Sequence, residues 1–242
     1  DEAPRYLLTR RAALKSIDFA IFYADGRHDH SRSPPEAWQN TRLDGFFRVE
    51  LPPFRGEVRQ IYVAYNYPSH KMTLERAYLS PVDAGEGAEE ERKLLLLAGL
   101  SGMLMMPLIF NFAFYRVLRE SFVLWHSALV ISLLASVLLS SGLAGALLDW
   151  PVMTISGLST FIFGVSVATA AMFTYRFVEP DKLHPMLRAG LRWAAGLAVI
   201  LSATHALFPF VMRSVQSDIY TLAFAPILLL FVVVILDALR RG

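Results

Sequence analysis

The 242-residue chain has six histidines, no cysteine and carboxylates crowded into its first 93 positions. Only His28-Asp29-His30 gathers ligand-type side chains together. In a strand, residues i and i+2 share a face, so the two imidazoles could hold one metal ion. The cluster adjoins the Asp25-Gly26 turn and several arginines, and a solvated loop is the reading those neighbours favour. His28 and His30 are therefore weak metal candidates, and no cofactor is expected. His126, His205 and Asn111 fall inside long apolar stretches. A polar side chain at membrane depth either handles a ligand or proton or bonds neighbouring helices together. Absent cysteine excludes disulfides, thiolate metal sites and thiol nucleophiles. No HExxH, GxSxG, Gly-rich phosphate loop or pair of intramembrane carboxylates occurs, so no catalytic residue is assigned.

The elements that would position these residues separate into two halves. Hydrophobic residues are 55% and charged residues 18% of the chain, and mean hydropathy is +0.42. Residues 1–93 carry 14 of 23 Lys+Arg and 15 of 21 Asp+Glu, leaving 9 and 6 for the other 149 residues. Five uncharged runs follow, at about 94–115, 121–148, 150–175, 193–212 and 219–236. Each is near or above the ~20 residues a helix needs to cross a ~30 Å hydrocarbon core. Alternate connections hold Arg116, Arg119, Arg176, Lys182, Arg188, Arg192, Arg240 and Arg241, against Arg213 alone on the other side. That bias places residues 1–93 outside the cytoplasm and Gly242 inside. Pro107 and Pro226 fall within spans, where kinks are the usual result. Serine and glycine clusters at 136–145 and 157–166 permit close helix approach. A net charge of +2 gives no reason to expect nucleic acid.

Period two dominates the front half. Ile17, Phe19, Ile21 and Tyr23 alternate with Asp18, Ala20 and Phe22, then Asp25-Gly26 turns the chain. Phe47, Val49, Leu51 and Ile61, Val63, Tyr65 repeat the pattern, with Met72–Leu74 a shorter candidate. Arg27–Asn40 reads as a loop. The expected fold is a small antiparallel β-sandwich-like extracytoplasmic domain over 1–83, incomplete at its N-terminus, a juxtamembrane helix over 84–93, and an all-α membrane bundle over 94–242. The chain starts with Asp1 and stops after Arg240-Arg241-Gly242, so a piece of a longer protein is expected.

The join between the halves resembles the bacterial seven-transmembrane receptors with diverse intracellular signalling modules. The resemblance lies in Asn111-Phe112-Ala113-Phe114-Tyr115, in Arg119-Glu120-Ser121-Phe122-Val123-Leu124, in Trp150-Pro151, and in Arg176-Phe177-Val178 with Pro185 and Arg188. Glu120 and Phe122 depart from the Asp and Tyr usual in the family, and five spans stand where seven are expected. The resemblance implies two further spans and a cytoplasmic output domain, a diguanylate cyclase or a histidine kinase. It also implies a bacterial inner-membrane location and a periplasmic ligand, a carbohydrate or other small molecule or a protein.

The reading that follows is the sensory and membrane portion of a receptor, a homodimer in the lipid bilayer, relaying a periplasmic signal to that output. The alternatives are a transport or export subunit whose outer domain docks a partner, and a membrane enzyme with dispersed polar residues.

Overall fold

The computed structural model describes residues 4–11, 13–41, 46–68, 77–81, 88–141, 144, 150–208 and 215–241. Among the described residues seven strands build two antiparallel sheets near the N-terminus: β1 (Tyr6–Arg10), β2 (Ser16–Tyr23), β3 (His28–Ser33), β4 (Gln39–Asn40), β5 (Phe46–Glu50), β6 (Val58–Asn66) and β7 (Ala77–Ser80). One sheet runs β4-β5-β1-β7 and the other β3-β2-β6. The predicted alternation is carried into burial. Ile17, Phe19, Ile21 and Tyr23 are buried, as are Phe47, Val49 and Leu51. Leu7 pairs with Val49, and Thr9 with Phe47, so these four share a sheet face. Leu7, Phe47 and Val49 join Leu14, Ile17, Phe19 and Trp38 in one core cluster. Each such side chain contributes about 1.5–3 kcal/mol when fully buried. Trp38 stacks on Phe47 at 4.8 Å and donates to Ser33 Oγ at 3.0 Å.

The loop expected over Arg27–Asn40 is corrected. His28–Ser33 is a strand paired along β2 from Phe22↔His28 to Ile17↔Ser33. It is the edge of its sheet, and a polar sequence such as His-Asp-His-Ser-Arg-Ser is one way an edge avoids pairing with other chains. The turn before it forms at the expected place. Gly26 N–H donates to Tyr23 O, Tyr23 N–H donates to Arg27 O, and Gly26 takes φ +87°, a left-handed position glycine fills without strain. Met72–Leu74 lies outside the described residues.

Among the described residues five long helices follow: α1 (Ala88–Leu118), α2 (Ser121–Ser140), α3 (Val152–Phe177), α4 (Pro185–Leu207) and α5 (Val215–Arg241). All five are long and apolar enough to cross a membrane. α1 ends on Arg119, which takes φ 51° and donates its N–H to Tyr115 O at 3.0 Å, a left-handed cap that closes the helix. α4 begins eight residues before the uncharged run, because Pro185 suits a first helical position and His184 Nδ1 accepts from Met186 N. Arg188 and Arg192 therefore ride on its first turns.

The chain divides into two compact units. One holds 1–94, 139–157 and 209–215; the other holds 95–138, 158–208 and 216–242. The second has a core of Ala168, Ala171, Leu191, Ala194, Ala198, Phe224, Ile227 and Val234, from α3, α4 and α5.

Candidate functional site

In the first unit, the outward face of the β3-β2-β6 sheet carries three rows of paired residues. They are Arg32, Asp18 and Ala64; His30, Ala20 and Tyr62; and His28, Phe22 and Gln60. Alternation within the strands puts His28, His30 and Arg32 on the exposed side. The Phe22 ring stacks with His28 at 5.8 Å and meets Tyr62 edge-on at 5.5 Å. The His28 and His30 rings sit 5.4 Å apart. Between His30 and Tyr62 lies only the methyl group of Ala20, so the middle row is low at its centre. Arg32 Nε donates to Asp18 Oδ1 at 2.7 Å, and Asn66 Nδ2 donates to Asp18 Oδ2 at 2.8 Å. The hydrogen bond from Arg32, then that from Asn66, hold the Asp18 carboxyl below its usual range.

The two imidazoles do share a face, as strand geometry requires. Asp29 is on the other face, where it accepts from the Tyr23 hydroxyl at 2.9 Å. No group of three metal-ligating side chains occurs among the described residues. A metal there would have two protein ligands, short of the three or four of ordinary zinc sites. At the hairpin end, Tyr23, Arg27, His28, Asp29 and Arg55 line a cavity of about 410 Å³.

The same unit contains a contact that no sequence pattern indicated. Val152 and Met153, at the start of α3, pack into the β-sheet core with Leu7, Trp38 and Phe47. Val152 is fully buried. Asn40 Nδ2 donates to Trp150 O at 2.7 Å, and Arg11 Nη1 donates to Leu139 O at 2.9 Å. Leu139 is near the end of α2, where a cation complements the free carbonyls. The other two nitrogens of Arg11 are buried and have no hydrogen-bond partner. Burial pushes its pKa down to about 10. The β-rich region thus engages the end of α2, Trp150 and the start of α3 through an apolar plug and two side-chain-to-carbonyl bonds. Trp150, singled out in sequence for the Trp150-Pro151 pair, is one of the residues engaged.

In the second unit, two of the three intramembrane candidates meet. Asn111 Nδ2 lies 2.8 Å from His126 Nδ1, joining α1 to α2, and His126 packs on the Phe173 ring of α3 at 5.2 Å. A single partly buried pair of this kind fits helix bonding. His205 is buried on α4, apart from that pair in sequence. Ser132 Oγ and Thr169 Oγ1, 3.2 Å apart, add a second polar bridge, from α2 to α3.

Among the described residues, five membrane-length helices that follow two antiparallel sheets in sequence define a multi-pass membrane protein with a β-rich domain ahead of α1. Residues 93–242 match the family described as 7TM diverse intracellular signalling, and the chain belongs to that family. No curated protein matches the chain, and no solved structure does.

Proposed function

We propose that this chain is the sensory and membrane portion of a bacterial inner-membrane receptor. The β-rich domain faces the periplasm, and the α1–α2 and α3–α4 connections face the cytoplasm. The observation that carries the reading is the seating of Val152 in the β-sheet core. A ligand that reshapes the sandwich must also act on the start of α3, and through Arg11 on the end of α2. A signal of this kind works by differential binding to two packings of the same chain. The output is a diguanylate cyclase or histidine kinase carried by a longer form of the protein, which acts as a homodimer. The ligand lands on the face bearing Phe22, Tyr62, His28 and His30, where flat rings flanked by Asp18 and Arg32 suit a carbohydrate or another small polar molecule.

Two measurements test this. Cysteines placed singly at Ser33 and at Asp181 have no background thiol. An impermeant maleimide applied to intact cells should label the first and spare the second; the reverse pattern refutes the orientation. In the full-length receptor, Val152→Ala leaves a cavity costing about 1–2 kcal/mol, in the range for losing two methyl groups. It should shift basal cyclic di-GMP synthesis or autophosphorylation. An unchanged output at all ligand levels would remove the α2–α3 connection from the relay.

A further inference from the structure

At one end of the bundle, three arginines converge on one aromatic ring. Tyr175 and Arg176 are in the last turn of α3. Arg188 and Arg192, four residues apart near the start of α4, occupy one helix face. The guanidinium carbons of Arg188, Arg176 and Arg192 lie 4.7, 5.5 and 5.9 Å from the centre of the Tyr175 ring. Arg188 also donates to Val178 O at 3.4 Å. None of the three is ion-paired among the described residues, although Glu179 and Asp181 lie on the connection between the two helices. The ring face offsets part of the repulsion, since cations within about 6 Å of an aromatic centroid are attracted to it. It supplies no anion.

Large apolar side chains stand exposed at the same helix ends. Phe177 closes α3, Met186 opens α4, and Trp193 follows Arg192; each is more than half exposed. Arginine forks match phosphate oxygens, and tryptophan beside them is the residue of a membrane interface.

We propose that Arg176, Arg188 and Arg192, gathered around Tyr175, form a headgroup site for an anionic phospholipid, with the phosphate against the guanidinium groups. A lipid fits better than free phosphate because the cations stand where membrane-length helices end, among exposed apolar side chains. Basic pockets between helices at a membrane face are known to take such headgroups. The site does not depend on the receptor reading; under that reading it lies in the cytoplasmic leaflet.

The test uses the purified protein in neutral detergent, with lipid adducts counted by native mass spectrometry across a titration. Short-chain phosphatidylglycerol should bind more tightly than short-chain phosphatidylcholine. Each Arg→Gln substitution should weaken phosphatidylglycerol binding about fivefold, and the triple variant roughly a hundredfold. Replacing all three by lysine keeps the charge but loses the fork, and should bind phosphatidylglycerol more tightly than the triple glutamine variant and less tightly than the unsubstituted protein, which separates a headgroup site from a folding defect. R192Q alone removes an exposed side chain and should fold normally while showing its own fivefold loss. R116Q/R119Q, which removes two cations from another helix connection, should leave binding unchanged. The proposal fails if phosphatidylcholine binds equally well, or if R192Q and the triple variant keep full affinity. It also fails if R116Q/R119Q weakens binding as much, or if inorganic phosphate displaces the lipid at equal concentration.

Discussion

Replacing Gly164 by alanine should loosen the contact between α3 and α4, and the size of the effect follows from three distances. A Cβ built on Gly164 would lie 1.8 Å from Ser202 Oγ, 2.3 Å from Ser202 Cβ and 2.7 Å from Ala198 O. The hydroxyl can rotate away. The other two atoms are fixed to the α4 backbone, so relief requires the helices to part. Restoring an ordinary carbon–carbon separation of about 3.8 Å means a local displacement of roughly 1.5 Å. A gap of even ~0.5–1 Å forfeits a quarter to a half of each dispersion contact along it. Overpacking of this kind costs about 1–3 kcal/mol. Between apolar helices in a bilayer, close packing is itself a main source of association, so the upper half of that range is expected. The assay is unfolding of the purified protein in mixed micelles by added dodecyl sulfate, followed by helical circular dichroism. Gly196→Ala on α4 is the control, since a Cβ there meets nothing within 4 Å; it should be neutral or stabilising by up to ~1 kcal/mol through helix propensity. Ser202→Gly combined with Gly164→Ala should recover part of the loss, with a coupling of ~1 kcal/mol or more. If Gly164→Ala is as harmless as Gly196→Ala, or uncoupled from Ser202, the helices do not approach as closely as described.

Three further outcomes are expected. Burial pulls the Arg11 pKa down to about 10, so burial opposes its charge by roughly 3 kcal/mol; the bond to Leu139 O returns ~1.5–3 kcal/mol. Arg11→Met should therefore change thermal stability by no more than about 1 kcal/mol, while Arg11→Glu should destabilise strongly; a large loss in the methionine variant would contradict this balance. Asp18 has a lowered pKa in the folded chain, so the unfolded chain binds more protons and stability rises with pH through the acid range. That contribution is present above the ordinary carboxylate pKa and lost as pH falls through the lowered one. Asp18→Asn should flatten the acid limb of a stability–pH curve, and an unaltered limb would remove the Arg32 and Asn66 bonds from the account. A double-mutant cycle on Asn111→Leu and His126→Leu should give a coupling near ~0.6 kcal/mol and below ~1.7, the range for polar pairs between membrane helices; zero coupling would mean the pair is not formed.

The sequence by itself determined the two-part architecture. Uncharged runs long enough to span a bilayer announce helices, because unpaired backbone groups cannot be left in hydrocarbon. Period-two alternation at Ile17–Tyr23 and Phe46–Leu51 announces strands with one buried face. The motifs around Asn111–Tyr115 and Arg119–Leu124 carried the family. Where the local pattern is weak, the sequence does not announce the element. β1 has Leu7, Leu8 and Thr9 all buried, so both of its faces are covered. A strand covered on both faces shows no alternation. β3 shows no apolar alternation, since its residues are all polar, and only its pairing with β2 makes it a strand.

Tertiary structure alone decided which residues work together. Asn111 and His126 are 15 positions apart, and their 2.8 Å contact depends on how α1 and α2 are rotated. The convergence of Arg176, Arg188 and Arg192 depends on the connection that returns α4 beside the end of α3. The seating of Val152 among Leu7, Trp38 and Phe47 joins positions more than a hundred apart. Periodicity reports which face of an element is apolar, because that is a local property of the chain. The partner that covers the face is set by closure of the whole fold, and no local pattern encodes it.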